Sequence, residues 1–240
     1  SKPSVVIVIP DYTANESYPK HQLDKSVAYF FLNLKGHDLF VKPTKDEEQK
    51  SPGYMIESIS DRDNYYVKGI YLDAFRSIDI LRMRNFLDCG SMGIIGKGIG
   101  AAAAIFAASR SDRVKALVLD TPSFAQLPLS QNISESPAAN EINDYLRLQK
   151  SRTKTIKKNL TYFDALNFAD LVTCPVMVTV GFRDKFSPPE CVFGLFNRLN
   201  CDKTMEAYPD QGNEAGGDIQ FKKSLDWVIG RIREAAKVTA

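Results

Sequence analysis

Apolar residues along this chain fall into two patterns, unbroken β-branched runs and stretches at helical spacing, and the two alternate. Ser4 to Ile9 (SVVIVI) is a continuous run ended by Pro10, the pattern of a strand buried on both faces. Leu23 to Leu34 reads as a helix with Gly36 as its stop, followed by a short strand over Asp38 to Val41 and a polar loop from Pro43 to Pro52. Ile70, Leu72, Phe75, Ile78 and Leu81 give Tyr65 to Asn85 a helical period. Met92 to Ile95 predicts a strand, then a glycine turn, then a small-residue helix over Ala101 to Ser109. Val114 to Leu119 is another buried strand, closing on Asp120. Thr121 to about Leu160 lacks strand signals and reads as a helical insertion or lid. Cys174 to Val180 (strand), Pro189 to Leu199 (helix), Thr204 to Tyr208 (strand) and Gln220 to Ala236 (amphipathic helix) complete the chain.

Strands alternating with helices imply the α/β class, with a mostly parallel sheet covered by helices on both faces. In such sheets ligands sit beyond the carboxyl ends of the strands, so the residues after each strand carry the chemistry. Those segments are Pro10 to Tyr12, Gly96 to Gly100, Gly181 to Pro188 and Pro209 to Glu214.

Gly96-Lys97-Gly98-Ile99-Gly100 lies between a strand and a helix. Hydrolases of this architecture place a nucleophile at the centre of a G-x-S-x-G elbow there. The glycine frame is present, but the central slot holds Gly98, which has no atom able to attack an acyl carbon. Asp184, after the strand ending at Val180, takes the place of a triad acid. Asn213 stands on the last strand's loop where the histidine is due, and asparagine cannot accept a proton near neutral pH. The chain has two histidines, His21 and His37, both early and read as surface or capping residues. The amide of Ile99 retains the position of an oxyanion-hole donor, so an anion-binding nest at this turn and a merely structural turn stand level.

From Val5 onward these segments resemble, in order, the acetyl xylan esterase and cephalosporin C deacetylase family of α/β-hydrolases. The likeness runs through Tyr65 to Ala74, the glycine elbow, Tyr162-Phe163-Asp164-Ala165-Leu166-Asn167, Gly181 to Pro189, and Tyr208 to Glu214. The resemblance implies an α/β-hydrolase fold over 1–240 with a helical insertion at about 121–160. It also marks departures. Val41-Lys42-Pro43-Thr44 replaces an Arg-Gly-Gln motif, Gly98 the elbow serine, Asn213-Glu214 a His-Glu pair, and Pro10-Asp11-Tyr12 a His-Gly-Tyr motif. Asp184 and the oxyanion-side Tyr12 are what remains of the catalytic set. Loss at several motifs has the character of natural decay, since an engineered trap would change one residue. The family's amino-terminal segment before the first buried strand is missing, so the chain reads as the carboxyl-terminal part of something longer or as a trimmed product.

The expectation is a catalytically inactive hydrolase homologue serving as a binding or scaffold module. A small acyl or carbohydrate-like ligand would sit between Tyr12, Gly98, Asp184 and Asn213, or a protein partner would dock, and the family implies a homo-oligomer. Two other readings stay open. One is an esterase with a relocated nucleophile among Ser91, Ser123, Ser187 and Cys89. The other is a dinucleotide site, because Gly96-x-Gly98-x-x-Ala101 satisfies the G-x-G-x-x-G/A fingerprint and Asp120 stands where a ribose ligand belongs. Aryl acetate hydrolysis lost on mutating one of Ser91, Ser123, Ser187 or Cys89 would favour the esterase, while activity gained by Gly98→Ser with Asn213→His would show that the pocket geometry of the inactive homologue is intact.

Composition narrows this little. Of 240 residues 44% are hydrophobic, enough for a large core, and 31 basic residues against 29 acidic ones leave a net charge of +2. That balance argues against a nucleic-acid or membrane footprint. The cluster of Lys150, Lys154, Lys157 and Lys158 with Arg147 and Arg152 reads as a solvated helix face, and as a partner-facing surface only in the alternative. No apolar run approaches the roughly 20 residues of a membrane span. The four cysteines show no metal-ligand spacing, so neither metal nor organic cofactor is implied, and the chain is expected in the cytoplasm or exported after processing.

Overall fold

The structure is a computed structural model that describes residues 2–12, 23–36 and 53–238. The strand expected at Asp38 to Val41, the Pro43 to Pro52 loop, the Val41 to Thr44 motif and both histidines lie outside them.

Six strands, β1 (Ser4–Ile9), β2 (Val27–Phe31), β3 (Asp88–Lys97), β4 (Val114–Asp120), β5 (Val176–Gly181) and β6 (Lys203–Tyr208), form one sheet. Its order is β2-β1-β3-β4-β5-β6, and every pair is parallel. The SVVIVI run explains why β1 is central. Val5, Ile7 and Ile9 feed the core on one face, while Val6 and Val8 feed the core on the other.

The larger core packs α1 (Tyr66–Arg82) and α2 (Ile99–Ala108) against the sheet. Alanines 101–104 let α2 lie close to β3 and β4. On the opposite face Leu225, Val228, Ile229 and Ile232 of α8 (Gly217–Val238) close a second core over Ile95, Ala116 and Val118. At about 25 cal/mol per Å² of apolar surface, burying such side chains supplies roughly 1.5–3 kcal/mol each.

The region predicted as an insertion is helical. It contains α3 (Leu127–Ile133), α4 (Pro137–Leu148) and α5 (Thr153–Thr161), followed by the single turn α6 (Leu166–Ala169) and, after β5, by α7 (Pro189–Arg198). Ser136 caps α4 by accepting from the Ala139 amide at 3.1 Å. On α5, Ile156 and Leu160 face inward, while Lys154, Lys157 and Lys158 are exposed, as a solvated basic face requires.

One expectation fails: Leu23 to Leu34 is not a helix. Asp24 closes a turn by accepting from the amide and hydroxyl of Ser26, at 2.8 and 2.7 Å. The chain then enters β2 as an edge strand paired to β1, with Val27 opposite Ser4. The sequence Val-Ala-Tyr-Phe-Phe has strand-forming side chains, and an adjacent strand in need of a partner outweighs an accidental helical spacing.

Candidate functional site

The turn between β3 and α2 is a single residue. Gly98 has φ 54° and ψ −120°, a region costly for any side-chain-bearing residue and open to glycine. The turn is pinned to the end of β4, because Gly98 N donates to Asp120 O at 3.0 Å and Ser123 N donates to Gly98 O at 3.1 Å. The flanking glycines are sterically required. A Cβ on Gly96 would lie 2.5 Å from Gly100 O, and one on Gly100 would lie 2.4 Å from Pro10 O. The backbone is a tight strand-to-helix elbow whose central residue is a glycine.

The space beside Gly98 belongs to Asp11. A Cβ built on Gly98 would fall 2.0 Å from both Cγ and Oδ1 of Asp11. Oδ1 accepts from Ile99 N at 3.0 Å and from the amide of Tyr12 at 2.8 Å. Two backbone amides thus converge on one oxygen at the positive end of α2, the arrangement that would hold an oxyanion. At Ile99, where an anion-binding nest and a structural turn stood level, the amide is bonded to a carboxylate of the chain itself.

Tyr12 takes part through its amide; its hydroxyl is directed at the insertion. The hydroxyl donates to the carboxylate of Glu141 on α4, 2.8 and 2.9 Å from the two oxygens, and accepts from Tyr54 N at 2.9 Å. Glu141 also accepts from Gly53 N and Met55 N, at 2.9 and 3.0 Å. This bond set fastens the insertion over the strand ends. Burial, aided by the Glu141 charge, pushes the Tyr12 hydroxyl well above the ordinary phenol range, so it stays protonated and keeps donating.

The structure brings the side chains of Asp184 and Asn213 together. Asp184 Oδ1 accepts from Phe186 N at 2.7 Å and Ser187 N at 3.0 Å, while Oδ2 accepts from Asn213 Nδ2 at 3.1 Å. A carboxylate accepts only, so the nitrogen of Asn213 must face it. Asn213 therefore reproduces the bond that a histidine N–H would make to the acid, and adds a 3.3 Å contact to Thr121 Oγ1, but supplies no base.

Asp184 is only 4% exposed. Burial raises its pKa; the Ser187, Asn213 and Phe186 bonds oppose that, and Glu214 adds to it. A raised carboxyl takes up its proton in the folded state at a pH where the unfolded chain is still ionised. Lowering the pH from above the raised value towards about 4, the unfolded-chain value, should therefore stabilise the wild type relative to Asp184→Asn. Urea midpoints of the two proteins across that range measure this; a difference flat with pH contradicts it.

The other candidates do not assemble a centre. Ser187 Oγ donates to Thr121 O at 2.7 Å and is buried. Ser91 is buried in the first half of β3, away from the strand's carboxyl end. Cys89 lies further towards the start of that strand, donates to Leu81 O at 3.3 Å, and is held as a thiol by burial. No imidazole stands among the described residues. For a dinucleotide, the pyrophosphate position at the start of α2 is taken by the Asp11 carboxylate. Asp120, the would-be ribose ligand, accepts from Thr179 Oγ1 at 2.5 Å. Beneath the insertion, a cavity of about 20 Å³ bordered by Ser123, Leu127, Gln131 and Ser187 has room for about one water.

Sequence reasoning quoted Asp11 as a motif departure and missed its role. The signal was the pairing of two departures: a side chain lost at 98 and one gained at 11. Glu141 gave no such signal, since nothing local marks a glutamate on a helix as the partner of a tyrosine 129 positions earlier.

The acetyl xylan esterase family pattern matches residues 5–231. The chain belongs to the acetyl xylan esterase family. It is 29% identical over 183 residues to acetyl esterase Axe7A of Xylanibacter ruminicola, a match covering 75% of this chain and 40% of that one. The chain thus spans well under half the length of that relative. Among solved structures it superposes on an acetyl xylan esterase from Paenibacillus sp. R4 with TM-score 0.83 at 24% identity, covering 96% of this chain and 75% of that one. Acetyl xylan esterase 1 from Thermoanaerobacterium sp. JW/SL YS485 gives 0.77 at 23% identity, with 94% and 75% covered. At such identities the superpositions establish the α/β-hydrolase fold, and the family assignment rests on the 5–231 match. No helix of the described residues is long and apolar enough to cross a membrane.

Proposed function

We propose that this chain is a catalytically silent member of the acetyl xylan esterase family that serves as a binding or scaffold module. The observation that carries the reading is the Asp11 carboxylate, seated in the nucleophile's space and bonded to the amides of Ile99 and Tyr12. Acyl transfer builds negative charge on the substrate oxygen, and an oxyanion hole works by meeting that charge with donors. Here the donors are already spent on an anion, which would repel a second. The pairing of Asn213 with Asp184 supports the same reading, since it keeps the loop architecture while removing the proton acceptor. A small acyl or carbohydrate-like ligand, or a protein partner, would then be held without being cleaved.

The test is a sensitive ester-hydrolysis assay on the purified chain. With 4-nitrophenyl acetate and an acetylated xylo-oligosaccharide, acetate release should not exceed that of heat-denatured protein. A serine-directed fluorophosphonate should leave the intact mass unchanged. Turnover that co-purifies with the chain, or a stoichiometric adduct, would refute the proposal.

A further inference from the structure

The surface carries a second concavity, outside the elbow, that none of the foregoing uses. A groove of about 220 Å³ runs beside α1, with Arg62, Asp63 and Lys68 on one rim and Tyr71, Leu72, Phe106, Phe163 and Phe168 among its lining. Its floor is an aromatic cluster. Phe106 lies 5.1 Å from Phe168 and 5.4 Å from Tyr71, and Phe163 packs on Tyr71 at 6.4 Å, centroid to centroid. The hydroxyl of Tyr71 is spent on Phe163 O at 2.6 Å, so it offers the groove no polar handle.

Two guanidinium groups lie over rings of this cluster and its border. Arg62 Cζ lies over the exposed Tyr162 ring, 5.0 Å from its centroid, and Arg110 Cζ over Phe106 and Phe168 at 5.2 and 5.9 Å. Among the described residues neither arginine makes an ion pair. A cation–π contact spends none of a guanidinium's charge-paired hydrogen bonds, so its N–H fork can still take a planar bidentate acceptor. Lys68, by contrast, already donates to the carbonyl and carboxylate of Asp63, both at 3.0 Å.

We propose that this groove binds a planar aromatic carboxylate, its ring laid in the aromatic trough and its carboxylate on the edge of Arg62. Size and polarity select this class. The volume is below the roughly 300–1,000 Å³ of drug-sized sites and suits a single ring. A sugar carries hydroxyls around its whole rim, and those facing the floor would lose water with no partner to replace it. An aromatic ring has no such groups, and a single anionic substituent matches Arg62, which of the two unpaired arginines is the one in the lining. The inference does not rest on the silent catalytic centre; an active enzyme would carry the same groove.

The test is titration of the whole chain with 4-methylbenzoate, followed by heteronuclear NMR, beside its neutral amide and glucuronate. Saturable binding at millimolar concentration is expected, with shifts centred on Arg62, Tyr162 and Phe168 and not on Asp11 or Ile99. The amide should bind about tenfold more weakly or worse, as should the carboxylate to Arg62→Gln, whose exposed site leaves folding intact. Shifts centred on the elbow, equal binding of the amide, equal binding of glucuronate, or no saturation would each overturn the proposal. Arg110→Gln provides the second check: a loss confined to Arg110 would move the carboxylate away from the rim assigned here.

Discussion

The triple variant Asp11→Gly, Gly98→Ser, Asn213→His is expected to hydrolyse aryl acetates, while Gly98→Ser with Asn213→His alone is expected to stay silent. Restoring the serine and histidine by themselves is the obvious repair, but the geometry forbids it. A Cβ at position 98 would lie 2.0 Å from the Asp11 carboxyl, so the new side chain must either expel Asp11 or distort the elbow. Position 98 also has φ 54°, where a serine carries about 1–3 kcal/mol of strain that only a well-fitted surrounding sustains. The double variant should therefore lose stability as well as lack activity. Removing Asp11 frees the amides of Ile99 and Tyr12 as oxyanion donors and clears the nucleophile's space. A positioned general base alone contributes roughly 10²–10⁴-fold, so the triple variant should exceed background by at least about 10²-fold. Initial rates on 4-nitrophenyl acetate measure this. Equal activity in the double variant would show that Asp11 is not the obstruction. A folded but silent triple variant would show that the remaining residues no longer form a centre.

The largest loss of stability from a single polar side chain is expected at Asp164. It is 6% exposed, and its carboxylate accepts from Gln126 N at 3.0 Å, Leu127 N at 2.7 Å and Leu166 N at 3.0 Å. These bonds tie the start of α3 to the loop before α6 and hold Gln126 in a left-handed conformation, φ 49°. Asp164→Ala strands three amides. Bonds to a charged acceptor contribute about 1.5–3 kcal/mol each, offset by relief from burying the charge, so the net loss should be about 3–5 kcal/mol. Asp164→Asn keeps one acceptor oxygen and should cost roughly half as much. Denaturant midpoints decide the matter, and a cost for the alanine variant below about 1 kcal/mol would show that the joint is not held by this carboxylate.

What was legible in the sequence follows from how far each signal reaches along the chain. β1, β4 and β5 announced themselves because a strand covered on both faces is apolar at most positions in an almost continuous run, a local property. β2 did not. It is an edge strand with partial cover, and its identity as a strand comes from pairing with β1, which no window of residues contains. At the site, the elbow, Asp184 and Asn213 were found because each sits at a fixed offset from a strand end. The contact of Asp11 with the Ile99 amide was not, because the two are 88 positions apart and the contact depends on an absent side chain. The joint between Glu141 and Tyr12 escaped for the same reason.

The mutual exclusion of Asp11 and any side chain at position 98 also constrains the history of the molecule. From the present state, a mutation returning serine first meets an occupied site and brings only damage, whereas loss of the carboxylate must come before it for any benefit to appear. Selection sees no reward at the intermediate, so the change is entrenched. On the proposed reading, descendants of this sequence can diverge in what they hold, but a way to ester cleavage would be closed to single steps.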